Sequence, residues 1–387
     1  MTKAADELFM RRAIRQAERA LGETNPNPLV GCVLVRNGVV VGEGFHARAG
    51  SPHAEALALE AAGRKARGST AYVTLEPCAP NARKRTPPCA PRLIAAGVRR
   101  VVFGVRDLNP LVQGAGLRLL RSAGVRVVEG PCLPEARRLT QHFNSAMRLR
   151  RPFVSLKTGM TLDGRIATVS GDSRWITSKT QRAAARTLRR LFDAIVVGIE
   201  TAIKDDPGLM PEPRTLRPYT RVVLDSGLRM PVRSRLVRSA RRSPLILICV
   251  RGPAGRRLDL EAQGVTVIPV RGKQGRVSIP AALRALFARG ILSLMVEGGS
   301  EVMGSFVRDR LFDEIVIFRA PLILGGRGSR AAVGGDNPVR VNEAVAMTRA
   351  RREDSATVRY GLKASADLEV EVYERVQSRS ARTRQPG

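Results

Sequence analysis

The chain has 387 residues, a length that suggests two domains rather than one. Its 43% hydrophobic content can fill sizeable cores and excludes disorder throughout, and no run of 18 apolar residues offers a membrane span. The net charge is +32, and only eight of the 66 basic residues are lysine, so the excess is arginine.

In chain order, 5–21 reads as an amphipathic helix, with Leu8, Ile14 and Leu21 on one side and arginines on the other. The TNPNP run at 24–28 forms a rigid loop, and strands over 30–35 and 39–43 flank the hairpin dipeptide Asn37-Gly38. Helices over 52–65, 88–96, 115–123 and 134–148 alternate with strands over 70–75, 100–105 and 125–128. That alternation argues for an α/β layer fold. At Arg148-Leu149-Arg150-Arg151-Pro152 the pattern restarts, which places a domain boundary there. Beyond it, strands are expected at 153–156, 194–197, 221–224, 245–250, 266–270, 292–297, 315–318, 355–361 and 368–375. Helices are expected at 183–191, 280–289 and 300–310. The division expected is 1–148, 152–376 and a basic, disordered tail at 377–387.

The sharpest chemical signal lies between 46 and 89. Pro52-His53-Ala54-Glu55 opens a helix, Leu75-Glu76-Pro77-Cys78 ends a strand, and Thr86-Pro87-Pro88-Cys89 starts another helix. Zinc takes imidazole and thiolate ligands, and a catalytic site uses three protein ligands with one position open. His53, Cys78 and Cys89 supply that set, and Glu55 is placed to move a proton from the attacking water to the leaving amine. His-x-Glu followed by Pro-Cys and a second Cys is a zinc-deaminase pattern. Two alternatives stand beside it: ordinary core residues, and a structural zinc with His46 as fourth ligand. Cys32, Cys132 and Cys249 lie in or beside apolar runs and read as buried small residues.

The second half is less explicit. Val296-Glu297-Gly298-Gly299-Ser300 follows an apolar strand and precedes a helix, a turn in which backbone N–H groups can approach a phosphate. No GxGxxG follows the first strand, so a dinucleotide-binding Rossmann site is not indicated.

The stretches TNPNPLVGCVLV, GFHARAGSPHAEALAL, TAYVTLEPC, RTPPC, RDLNPLVQGAGLRLLRSAGV, SLKTGMTLDGRIA, SRWITS, DDPGL, VVLDS and VEGGSEVMGSF together resemble the bifunctional deaminase/reductase family of riboflavin biosynthesis. The resemblance covers nearly the whole chain in order. It implies a cytidine-deaminase-like α/β/α domain followed by a dihydrofolate-reductase-like α/β domain. The first would deaminate 2,5-diamino-6-(ribosylamino)-4-pyrimidinone 5′-phosphate, and the second would use NADPH to reduce the ribosyl group to ribityl. Carried over by position, His53, Cys78 and Cys89 would hold Zn2+, Glu55 would shuttle the proton, and Asn27 and His46 would face the deaminase substrate. Gly159, Trp175, Thr201, Asp205, Ser226 and the turn Gly299, Ser300, Glu301, Val302, Met303, Gly304, Ser305 would hold NADPH. Ser173, Arg189, Leu209 and Glu297 would hold the phosphorylated pyrimidine. For single residues the bland alternatives are a core aromatic at Trp175, a solvated arginine at 189 and a loop acid at Asp205.

There are two departures from the family pattern. Relatives typically read Cys-x-His-x-Gly-Arg-Thr-Pro-Pro-Cys, with eight residues between the cysteines, whereas this chain has ten and neither that histidine nor that glycine. Arg83, Lys84 or Arg85 is the replacement contact to look for. After the DDPxL segment, relatives continue with Thr and, two residues on, an arginine that meets the substrate. Here Met210-Pro211-Glu212 follows, and Arg214 is the nearest arginine.

Charge raises a competing class. A basic protein invites a nucleic-acid reading, including a zinc deaminase acting on RNA, but 4% aromatics leaves little for base stacking. The arginine concentrations are Arg11/Arg12/Arg15/Arg19, Arg182/Arg186/Arg189/Arg190 and 233–242. Solvated basic faces and phosphorylated small molecules are the expectation, with no nucleic-acid and no membrane partner. The other enzyme reading is a monofunctional reductase with an impaired deaminase domain. A cytoplasmic location is expected from the charged amino-terminal stretch. A homo-oligomer through the reductase domain is expected from the resemblance.

Overall fold

The computed structural model describes residues 2–80, 87–110, 112–336, 338, 340–350, 360, 362 and 368–376. The chain divides into two compact units, Met1–Pro152 and Phe153–Gly387. Arg83, Lys84 and Arg85, most of the strand expected over 355–361, and the tail at 377–387 fall outside the described residues.

The first unit runs α1 (Lys3–Glu18), β1 (Gly31–Arg36), β2 (Val39–Phe45), α2 (Ala54–Ala62), β3 (Thr70–Leu75), α3 (Cys89–Ala95), β4 (Arg100–Val105), α4 (Ala115–Ser122), β5 (Arg126–Glu129) and α5 (Leu133–Leu149). The sheet order is β2-β1-β3-β4-β5. β1 is antiparallel to both its neighbours, and β3, β4 and β5 are mutually parallel. Asn37 and Gly38 both have positive φ, 51° and 78°, which suits the twist of a tight hairpin. Apolar side chains fill both faces of the sheet. Cys32, Leu34, Val73 and Val101 pack with alanines of α2 and with Leu93 and Leu120. Val33, Val35, Tyr72 and Val102 pack under Phe9, Met10 and Ile14 of α1. One buried polar cluster crosses this second layer: Asp6 accepts from Tyr72 Oη at 2.7 Å and from both Arg100 Nη atoms at 2.7 and 2.6 Å. α1 starts two residues before the expected helix and stops three residues short of it, with the left-handed Gly22 (φ 85°) beyond its end.

The second unit runs β6 (Phe153–Met160), β7 (Arg165–Ala167), α6 (Lys179–Leu188), β8 (Ala194–Gly198), α7 (Ile199–Asp205), β9 (Thr220–Leu224), α8 (Arg235–Arg238), β10 (Leu245–Cys249), α9 (Ala254–Ala262), β11 (Thr266–Pro269), β12 (Gly272–Lys273), β13 (Arg276–Val277), α10 (Ile279–Phe287), β14 (Ser293–Glu297), α11 (Ser300–Arg308), β15 (Glu314–Arg319), β16 (Arg330–Ala331), β17 (Met347–Arg349) and β18 (Val370–Arg375). The main sheet has the order β11-β10-β9-β8-β14-β6-β15-β18-β17. Every pair from β11 to β15 is parallel, and β18 and β17 add antiparallel strands at one edge. The parallel strands are apolar on both sides because helices cover both faces. Asp193, at the entry to β8, accepts from the backbone N–H of Leu292 and Ser293 at 2.8 and 2.9 Å and fixes the start of β14. The carboxyl ends of β6, β8 and β14 lie side by side, the usual place for a ligand crevice in an open α/β sheet.

Candidate active sites

In the first unit, three ligand atoms converge. His53 Nδ1 stands 3.7 Å from Cys78 Sγ and 3.3 Å from Cys89 Sγ, and all three atoms lie within 4.8 Å of one another. Zinc bonds of about 2.0–2.1 Å to nitrogen and 2.3 Å to sulfur put those atoms about 3.6 Å apart at tetrahedral angles, so the donor set fits the ion. The local sequence explains the placement. Pro52 and an extended His53 stop the helix from starting earlier, so His53 stands at the N-cap of α2, its side chain making no capping hydrogen bond. Glycines on β2 let that helix lie close: a Cβ at Gly44 would come 2.7 Å from Ala54 O and 2.6 Å from Leu57 Cβ. Cys78 follows β3 in an irregular segment, and the Cys89 N–H, entering α3, donates to its Sγ at 3.3 Å. Gly116 on α4 touches the same segment, since a Cβ there would stand 1.7 Å from Pro77 O. Val112 packs over both cysteines.

Glu55 is 3% exposed, two residues past the histidine ligand. Burial raises its carboxyl pKa, the nearby Cys78 adds to that, and His53 opposes it. The carboxyl therefore holds a proton more readily than an ordinary glutamate. His46 is a different case. Its Nδ1 donates to Pro52 O at 3.1 Å, and its Nε2 faces the Asn27 amide at 3.0 Å. Burial lowers the pKa of this ring. With both nitrogens engaged, His46 is not a fourth ligand, and among the described residues the triad stands as three donors. Asn27 and His46 thus form a neutral pair beside it, the two histidine rings 5.5 Å apart.

In the second unit, a cavity of about 460 Å³ opens at the strand ends. Gly159, Ser173, Trp175, Arg189, Thr201, Asp205, Leu209, Glu297, Gly299, Ser300 and Met303 all line it. Its floor is an ion-pair cluster. Arg189 donates from Nε and Nη2 to the two Glu297 oxygens, each at 2.8 Å, and from Nη1 to Met210 O at 3.0 Å. Burial works to raise the Glu297 pKa, but Arg189 and Lys157 overcome it and hold the carboxyl down at about 2. Desolvation draws the Lys157 amine down, and Glu297 resists that. Trp175 is 66% exposed, with the Arg182 guanidinium 4.2 Å from its ring centre.

Two family models match. "Cytidine and deoxycytidylate deaminase zinc-binding region" covers residues 3–105, and "RibD C-terminal domain" covers 152–358. The riboflavin biosynthesis protein RibD of Aquifex aeolicus is 41% identical over 327 residues, 84% of this chain and 89% of that one. The chain belongs to the RibD family. Its fold agrees with the RibD structure from Acinetobacter baumannii, form 1, at a TM-score of 0.84 and 34% identity, covering 97% of this chain and 100% of that one. It agrees also with the Thermotoga maritima diaminohydroxyphosphoribosylaminopyrimidine deaminase/5-amino-6-(5-phosphoribosylamino)uracil reductase, at 0.80 and 32%, covering 97% of this chain and 99% of that one. Like other RibD proteins it joins a deaminase to a reductase and is a bifunctional enzyme of riboflavin biosynthesis.

Not every residue that the resemblance singled out faces the RibD reductase cavity. Ser226 accepts a hydrogen bond from Val277 N at 3.1 Å and lies off the lining, as do Glu301, Val302, Gly304 and Ser305. Gly304 is a packing glycine, its missing Cβ 1.9 Å from Gly334 O. The bland alternatives for Trp175 and Arg189 fail, because the indole is exposed and the arginine side chain is 14% exposed and makes three hydrogen bonds. Cys132 is likewise half-exposed in a left-handed turn (φ 64°) ahead of α5, not buried as expected. Sequence reasoning missed the cavity's cations Lys157, Lys204 and Arg330, and singled out Arg182 and Arg186 only as part of an arginine concentration, without placing them in a site. Lys157 was within reach of it, since a charge between buried Leu156 and Thr158 inside a strand is a functional signal.

Proposed function

We propose that the first unit is a zinc deaminase of the diaminohydroxyphosphoribosylaminopyrimidine type and the second an NADPH-dependent reductase of the 5-amino-6-(5-phosphoribosylamino)uracil type. The carrying observation is the tetrahedral spacing of His53 Nδ1, Cys78 Sγ and Cys89 Sγ with Glu55 buried beside them. Zinc held by those three supplies Lewis-acid activation of water at neutral pH. Glu55, its proton affinity raised, takes the proton of the attacking water and delivers it to the departing amine. The Asn27–His46 pair offers the pyrimidine ring a fixed set of neutral hydrogen-bonding groups.

NADPH bound in the reductase cavity would supply hydride chemistry for C1′ of the sugar in its ring-opened imine form. The turn at Gly298–Gly299, the start of α11 and Thr201 form the wall suited to its phosphates. Ser173, Leu209 and the Arg189–Glu297 pair form the wall for the substrate. Lys157, an amine whose proton affinity burial lowers, is the group that would give the proton taken up by the imine nitrogen when C1′ is reduced. The enzyme works in the cytoplasm as a homo-oligomer, with the exposed run Leu322, Ile323, Leu324 (45%, 74% and 37% exposed) as the reductase-domain contact.

The test is incubation with 2,5-diamino-6-(ribosylamino)-4-pyrimidinone 5′-phosphate, with and without NADPH, with products identified by mass. Ammonia release without NADPH, followed by reduction once NADPH is added, is the expected result. Reduction of separately supplied deaminated compound with no ammonia release would leave only a reductase.

A further inference from the structure

The cations of the reductase cavity are not equally available to a ligand. Arg189 gives three donors to Glu297 and Met210 O, and Lys157 shares the same carboxylate. Arg182 stacks on Trp175 and donates to Thr177 O. Lys204 donates to Gly171 O, and Arg330 approaches the same glycine, so both cations gather at that turn of the lining. Arg186 stands apart from all of these. It lies on α6 one turn before Arg189, lines the cavity, and faces a single carboxylate, Glu212. That pair is open to solvent, the two side chains 38% and 66% exposed. An ion pair so exposed is weak, so a phosphate dianion, which an arginine can grip with two parallel N–H groups, displaces the carboxylate readily.

The segment after Leu209 keeps the pair in register. Glu212 N donates to Arg186 O at 3.2 Å, Thr187 Oγ1 donates to Glu212 O at 3.0 Å, and Met210 O is held by Arg189. Position 212 is where the family pattern expects an arginine that meets the substrate; here it carries a carboxylate with a guanidinium against it. Arg214, the nearest arginine in sequence, does not line the cavity.

We propose that Arg186 holds the 5′-phosphate of the reductase substrate, the positive charge having moved from the loop at 212 to the facing position on α6. This deepens the reductase reading above and rests on it. The test is steady-state reduction of 5-amino-6-(5-phosphoribosylamino)uracil and of its dephosphorylated analogue by full-length wild type, Arg186→Gln, and Arg186→Gln with Glu212→Arg.

For the phosphorylated substrate, Arg186→Gln is expected to raise KM about 10- to 100-fold, with kcat within about threefold. For the dephosphorylated analogue, wild type and variant should show the same KM. The double variant should recover most of the lost KM, because an arginine at 212 is tethered to the same place. A KM for Arg186→Gln within twofold of wild type overturns the proposal, as does an equal rise for both substrates. Failure of the double variant to recover overturns the shift from 212. Absence of any NADPH oxidation by wild type sinks the reductase reading instead. An unchanged circular dichroism spectrum confirms that each variant is folded.

Discussion

Replacing Glu297 by glutamine tests how the reductase floor is held together. The change keeps the shape but leaves Arg189 and Lys157 without their shared anion, in a place where Arg189 and Glu297 are only 14% and 12% exposed. Holding the carboxyl at about 2 rather than 4.5 corresponds to about 3 kcal/mol in favour of the ionised form. That agrees with the roughly 3–5 kcal/mol lost when one partner of a buried pair is removed. In urea unfolding followed by circular dichroism, the midpoint of the second unit's transition should fall by about 1 M. The pH dependence has a definite sign. A depressed carboxyl contributes its stability in full above its unfolded value near 4.5 and loses it as pH falls toward about 2. Wild type and Glu297→Gln should therefore differ most at neutral pH and converge as pH falls through that window. A midpoint unchanged at pH 7, or a gap that persists undiminished at pH 2.5, would refute the assignment of the low pKa to Arg189 and Lys157.

Other perturbations separate the two activities. Glu55→Gln should keep close to one zinc per chain by metal analysis while ammonia release falls about 10²–10⁴-fold; release at the wild-type rate removes Glu55 from the proton path. Cys89→Ala should lose both zinc and ammonia release yet retain reduction of separately supplied deaminated substrate. Gly116→Ala forces a Cβ to within 1.7 Å of Pro77 O, so the Cys78 segment must shift. Zinc should then leave this variant at a lower chelator concentration than wild type, with NADPH oxidation unaffected.

Much of the zinc site could be read from sequence because its groups sit at signalled positions. His53 stands behind a proline at a helix start, Cys78 at a strand end, and Cys89 behind Pro-Pro at the next helix start. What sequence left open was whether His46 is a ligand, and only its two hydrogen-bond partners decide that. The reductase cavity was less legible because its wall is gathered from residues 157 to 332. Arg189 and Arg190 are indistinguishable as letters, and helix phase alone turns the first toward Glu297. α6 begins four residues before the expected helix, because Ser178 and Gln181 form a capping box that starts it ahead of the apolar periodicity. α7 and α8, seven and four residues long, carry too little periodicity to be found that way.

The strand order of the second sheet bears on how the chain emerges from the ribosome. β6 is the first strand of its unit to be made, yet its neighbours are β14 and β15, which begin at Ser293 and Glu314. Some 140 residues of translation separate β6 from its first partner, which at about 5–20 residues per second is roughly 7–28 seconds. All that time the apolar segment FVSL waits unpaired behind a deaminase domain whose own residues are already out. The nascent reductase is therefore a natural client for a holding chaperone, and a stop codon between residues 161 and 313 spares the deaminase unit while leaving β6 without its β15 partner, as an open sheet edge.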